Sequence, residues 1–266
     1  MPSLRSVPRR VLPEHLWRRA QFLRLRARHL PMRLTSEGRA ARARLASFRD
    51  LHRGETCAIL GNGPSLGELD RSLLSGIPTF CLNRGYLFWG RSAQAPDFYV
   101  AVNDLVIRQF ASDIASLPCP LFLPWHLRNL FEGATNAVFF ETRIDDGFPT
   151  NPLHGISPGA TVTLAALQLA YHIGFAKALL LGVDHRFETT GPPHAEIRQV
   201  GEDPNHFRGD YFGEGTLWNL PDLEHSERGY ALAREAFEVG GREILNATPG
   251  SALEVFKRVE LQAAVA

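Results

Sequence analysis

The chain has 266 residues, 44% of them hydrophobic and 21% charged, with a formal net charge of +1. This length and apolar content support one full core with an extension, and exclude a low-complexity or disordered chain. The three cysteines, Cys57, Cys81 and Cys119, are far apart in apolar context, which fits buried thiols in a reducing compartment rather than a disulfide framework or a zinc site.

Charge divides the chain unevenly. Residues 1–50 hold 13 of the 29 Lys and Arg residues against three acids, Glu14, Glu37 and Asp50, whereas acids outnumber bases in 51–266. The division reads as a basic arm (1–50) in front of an acidic domain (51–266). The arm lacks the continuous apolar segment and small-residue cleavage site of a secretory signal. Leu12, Leu16, Ala20, Leu23, Ala27 and Leu30 recur at spacings of three and four. Pro13 suits a first helical position and Pro31 a stop. Two readings fit this basic helix: it lies on an anionic membrane surface, or it packs its stripe on the domain or on a second copy of the chain. No nucleic-acid partner is expected, because the rest of the chain is acidic and carries no motif for one. The expected location is the cytoplasm, peripheral to the inner membrane face on the first reading.

From residue 56 onward, short apolar runs alternate with helical patterns. Strands are predicted at 56–60, 79–82, 98–102, 121–123, 137–141, 178–183 and 243–246. One helix is predicted at 158–173, capped by Ser157 and stopped by Gly174, and another at 226–239. The alternation predicts a Rossmann-like, doubly wound α/β fold with a mostly parallel sheet. In that class ligands bind at the carboxyl ends of strands, near a topological switch. Residues 185–224 have no strong periodicity and are rich in Gly, Pro, His and charge, the composition of a lid-like insertion.

The stretch "GNGPSL" at 61–66 is the first strand-to-helix turn. Its glycines, Gly61 and Gly63, let a backbone approach a ligand, and a helix behind them would offer free N–H groups to a phosphate. It is not a P-loop, since no Gly-Lys-Ser/Thr follows, and its glycine spacing is not the dinucleotide fingerprint. Asn62, Asn83 and Asn103 each stand at or just beyond the carboxyl end of one of the first three strands. Neutral amides in register there suit a nucleobase edge, ribose hydroxyls or a sugar. A loop asparagine can equally be a turn residue.

These motifs resemble glycosyltransferase family 42, the bacterial sialyltransferases that use CMP-activated sialic acid. The likeness rests on "GNGPSL" after the first strand, asparagines closing the second and third, "GISPGATVTLAALQLAYHIGFAKALLLGVDHRF" at 155–187, and "NHFRGDYFG" at 205–213. The same blocks resemble motility-associated nonulosonic-acid transferases and 6-hydroxymethylpterin pyrophosphokinase-like proteins. The resemblance implies that Gly61, Asn62, Gly63 and Ser65 hold a nucleotide, probed further by Asn83 and Asn103 at the nucleotide and donor sugar. Ser157 and Gly159 would line the site, with Asp184 at the end of the Gly-x-Asp strand. His206 would be the general base that deprotonates an acceptor hydroxyl, a task suited to an imidazole. It implies a nucleotide-sugar donor, CMP-linked, a glycan or other hydroxyl acceptor, and no metal or other cofactor.

The chain departs from that pattern twice. His154-Gly155 stands where the sialyltransferases carry an arginine. The segment 178–187 has no tyrosine to steady a leaving phosphate, but has His185 and Arg186. Two alternatives remain open: a pyrophosphokinase using Mg-ATP, and a nucleotide-binding protein without turnover. For the first, Asp145, Asp146, Asp184, Asp203 and Asp210 are the candidate Mg²⁺ ligands, Asp184 the best placed. Asp184 can instead accept hydrogen bonds from nearby backbone. The spacings of His185, His194, His206 and His225 match no zinc pattern.

Overall fold

The strands form because their apolar residues are buried on both faces, as a covered parallel sheet requires. In the computed structural model, which describes residues 23, 24, 27, 29–90 and 95–265, β1 (Thr56–Leu60), β2 (Thr79–Leu82), β3 (Phe98–Val100), β4 (Leu121–Pro124) and β5 (Ala137–Phe140) follow one another. Then come β6 (Lys177–Leu181), β7 (Glu196–Arg198), β8 (Leu217–Asn219), β9 (Glu243–Asn246) and β10 (Lys257–Arg258). Eight of them make one sheet in the order β10-β9-β6-β1-β2-β3-β4-β5, and every pairing in it is parallel. The expected Rossmann-like α/β architecture is observed.

The pleat explains the runs. Cys57 and Ile59 of β1 enter one core cluster with Ala178 and Leu180 of β6, while Ala58 and Leu60 enter the opposite one with Leu179 and Leu181. The helix Val162–Ile173 covers the first face with an almost wholly buried surface. It begins at Val162, four residues after the expected start at 158. Thr161, not Ser157, is its cap, accepting from the Thr163 N–H at 3.3 Å. Gly174 ends it as expected, in the left-handed region at φ 104°. The helix Leu223–Val239 packs beside it, capped by Asp222.

The arm does not end where its charge does. Helix Ser36–Ala46 is capped by Thr35 and packs across β5, with Leu45 fully buried. Arg33 makes a two-pronged ion pair with the buried Glu141, and Arg42 donates to the Leu153 carbonyl at 2.9 Å. The folded domain therefore begins well before residue 51. Pro31 is not a stop: helical backbone continues through it to Leu34. The chain breaks at Thr35, whose N–H and hydroxyl both donate to the Pro31 carbonyl. Of the apolar stripe, Leu23, Ala27 and Leu30 are exposed; Leu12, Leu16 and Ala20 lie outside the described residues. Among the described residues no helix is long and apolar enough to cross a membrane.

The 185–224 segment is folded. Its β7 and β8 pair antiparallel, and Tyr211, Phe212, Trp218 and Leu220 cluster with Val106 from the helix Asp104–Gln109. The Gln109 amide extends the pairing, donating to the Leu217 carbonyl at 2.8 Å and accepting from its N–H at 2.9 Å.

Candidate active site

Growth of the sheet reverses between β1 and β6. The chain adds β2 to β5 on one side of β1, then returns to lay β6 on the other. The loops leaving adjacent strands in opposite directions open a crevice there. A cleft of about 450 Å³ occupies this position, walled on its outer side by the 185–224 segment. That volume is suited to a small-molecule ligand. Gly61, Asn62, Gly63, Asn83, Asn103, Gly159, Asp184 and His206 all line it. Ser65 and Ser157 do not.

The turn after β1 is built differently from the expected phosphate loop. Only a short 3-10 turn, Pro64–Glu68, follows it, so there is no long helix to present a dipole. The Asp184 carboxylate takes the anion position instead, accepting the Ser65 N–H at 3.2 Å and its hydroxyl at 2.8 Å. A Cβ on Gly63 would land on that carboxylate, and one on Gly61 would land on the Gly182 carbonyl. The two glycines thus permit contact between the β1 and β6 loops. Ser65 is a clasp for Asp184, which is the backbone-accepting alternative for that residue.

The asparagines divide into two kinds. Asn103 caps the helix Asp104–Gln109, its side-chain oxygen accepting from the Leu105 N–H at 2.9 Å; only its amide nitrogen is left for the cleft, 3.5 Å from Asn219 Oδ1. Asn62 donates to the Leu82 carbonyl at 3.1 Å. The side-chain oxygens of Asn62 and Asn83 are buried without a hydrogen-bond partner. Such acceptors are costly to leave unmet. Asn83 sits in the left-handed region at φ 50°, and the cleft residues His185 and His194 do so at 57° and 64°. Backbone strain of this kind gathers at functional sites.

Ser157 is a structural residue. It is fully buried, receives Gln168 at its carbonyl and donates its N–H back to the same side chain. Its hydroxyl donates to the Asp145 carbonyl. This hydrogen bonding removes it both from the helix cap and from the cleft, where Pro158 to Thr163 take its place.

His206 has the strongest setting. Its Nδ1 lies 2.8 Å from Asp203 Oδ2, and the Asp203 side chain is fully buried. That carboxylate also accepts the Asn205 N–H at 2.9 Å and the Phe212 N–H at 3.3 Å. An ionised carboxylate can only accept, so Nδ1 carries the proton and Nε2 is left basic. The imidazole stacks on Tyr211 at 4.0 Å between centroids and 5° between planes, which fixes its plane. Burial pushes the Tyr211 hydroxyl well above the usual tyrosine range; it stays neutral and accepts from the Arg84 N–H.

Asp203, by sequence a candidate Mg²⁺ ligand, stands instead beside His206. The Asp-x-x-His spacing carried the signal. Tyr230 was not among the expected site residues. It reaches the cleft from the helix Leu223–Val239, its hydroxyl 3.4 Å from Thr161 Oγ1. Arg186 is the one Lys or Arg side chain among the described residues that line it.

Among solved structures, the chain is similar to the MAf glycosyltransferase of Magnetospirillum magneticum AMB-1, with a TM-score of 0.51 and 15% identity over 84% of this chain. What the two share is the fold. This chain matches 38% of the length of that enzyme. A second similar structure is the sialyltransferase CstII of Campylobacter jejuni in complex with a substrate analogue, cytidine-5'-monophosphate, with a TM-score of 0.49, 15% identity, and coverage of 78% of this chain and 85% of that one. No protein-family model matches the sequence, and no curated protein sequence matches it.

Proposed function

We propose that this protein is a glycosyltransferase, moving a sugar from a nucleotide-activated donor to a hydroxyl acceptor with His206 as general base. The observation that carries the reading is the His206–Asp203 pair on the wall of the switch-point cleft. A fold shared with the Magnetospirillum glycosyltransferase supports it. The donor class, a CMP-activated nonulosonic acid, rests on the resemblance of the sequence blocks.

The steps follow from the residues. His206 Nε2 takes the acceptor's hydroxyl proton while its oxygen bonds to the anomeric carbon. The bond from that carbon to the phosphate oxygen breaks, and its electrons leave with the nucleotide monophosphate. The imidazolium so formed is stabilised by Asp203. Arg186 supplies positive charge for the leaving phosphate, and Tyr230 and Thr161 supply hydroxyls, in place of the tyrosines absent from 178–187. Asn62 and Asn83 meet the nucleoside with neutral acceptors. No metal takes part in this chemistry. In the competing Mg-ATP reading Asp184 would have to hold the ion while also accepting both Ser65 hydrogen bonds.

Calorimetry with CMP and a CMP-nonulosonic acid turnover assay test the reading together. His206→Ala should hold CMP affinity within a few-fold and lower turnover by about 10²- to 10⁴-fold, and Asp203→Asn should lower turnover in the same direction. Near-normal transfer by His206→Ala at saturating donor and acceptor would remove the histidine from the chemistry.

A further inference from the structure

We propose that His194, Asp222 and His225 form a binding site for a divalent transition-metal ion of zinc-like preference at the rim of the cleft. The three residues are spread over 32 positions of sequence and match no metal motif, but the fold brings their ligand atoms within 4.8 Å of one another. His194 Nε2 is 3.6 Å from Asp222 Oδ2. A tetrahedral ion with bonds of about 2.0–2.1 Å holds its ligands about 3.4 Å apart, so small side-chain rotations close the site.

A second observation concerns orientation. His225 Nε2 lies 2.6 Å from Asp146 Oδ1, the carboxylate–imidazole arrangement that backs most metal-bound histidines. It leaves Nδ1 as the ligand atom. Asp222 uses Oδ1 to accept the His225 N–H at 2.9 Å, and Oδ2 faces His194. The His194 backbone is held in turn. Its N–H donates to the Leu220 carbonyl at 2.9 Å, and its own carbonyl accepts from Asn219 at 3.2 Å. The start of the helix Leu223–Val239 carries a partial positive charge, which the carboxylates of Asp222 and Asp146 outweigh.

Two imidazoles and one carboxylate favour zinc, cobalt or nickel over magnesium or calcium, which prefer all-oxygen sets. Three protein ligands leave a fourth position for water or a ligand oxygen. The ion would tie the 185–222 segment, through His194, to the helix that follows it, and so brace one wall of the cleft. The site stands whether or not the chain transfers sugar.

The test uses the full chain, stripped of metal with a chelator and titrated with Co²⁺ by visible absorption and with Zn²⁺ against a chromophoric chelator. One equivalent should bind with tetrahedral cobalt bands, and Zn²⁺ should raise the melting temperature. His194→Ala and His225→Ala should each lose that equivalent and the thermal shift, while melting in metal-free buffer as cooperatively as the parent. Asp146→Asn should weaken affinity by about 10- to 100-fold, and His206→Ala should bind as the parent does. Absence of a tight equivalent in the parent, or its persistence in both histidine variants, overturns the proposal.

Discussion

Substituting Gly63 by alanine should be costly for a reason that lies 121 residues away, at Asp184. Gly63 has φ −68°, a value any residue adopts, so backbone conformation does not demand glycine there. The added Cβ would instead fall on the Asp184 carboxylate and push it off the Ser65 N–H and hydroxyl. Hydrogen bonds to a charged group contribute about 1.5–3 kcal/mol each. Asp184 is half-buried, so the low end applies, and losing both bonds costs about 3 kcal/mol. For a chain of this size that lowers the melting temperature by roughly 6–12 °C. The assay is urea denaturation of Gly63→Ala, Asp184→Ala and the double variant. With the carboxylate gone the clash disappears, and removing a glycine should then be neutral or stabilising by about 0.4–1 kcal/mol through the unfolded chain. The alanine thus changes sign between the two backgrounds, a coupling well above the ordinary error of additivity. An equal cost in both backgrounds would refute the clasp.

Two further outcomes follow from burial. Cys57, Cys81 and Cys119 are all buried, and loss of hydration raises each thiol, Cys119 to about 12; a thiol reagent at pH 8 should find no fast-reacting group in the native protein and three after denaturation. Burial lowers the pKa of His172 below its ordinary 6.5, so the unfolded chain binds a proton first and stability falls as pH drops below about that value; the difference in melting temperature between the parent and His172→Gln should shrink between pH 7.5 and 5.5, and a constant difference would count against the buried neutral imidazole.

The sheet was legible in the chain because its determinants are local. A strand buried on both faces must be apolar at successive positions, so 56–60, 79–82 and 243–246 could be bounded to the residue. The parallel class followed from the alternation of strand and helix, and the switch-point location of the cleft followed from the class. The roles within the cleft were not legible in the same way. Whether Asp184 binds an ion or a hydroxyl depends on Ser65, and these residues meet only because β6 returns beside β1. Ser157 has the local signature of a helix cap, but Gln168 and the Asp145 carbonyl compete for its polar groups, and Thr161 takes the cap. Helix Ser36–Ala46 looks like part of a basic arm by charge, yet its Leu45 is buried in the core and its Arg42 donates to the Leu153 carbonyl. The 185–224 segment lacks periodicity because its core is made with Val106 and Gln109 of another helix, which no local pattern records. The chain by itself determined the main strands of the parallel sheet and the end of it at which the cleft opens, but not β7, β8 or β10. Only the tertiary structure decided which partner each polar group found there, because a hydrogen bond's partner is set by approach in space, and sequence spacing does not carry that information.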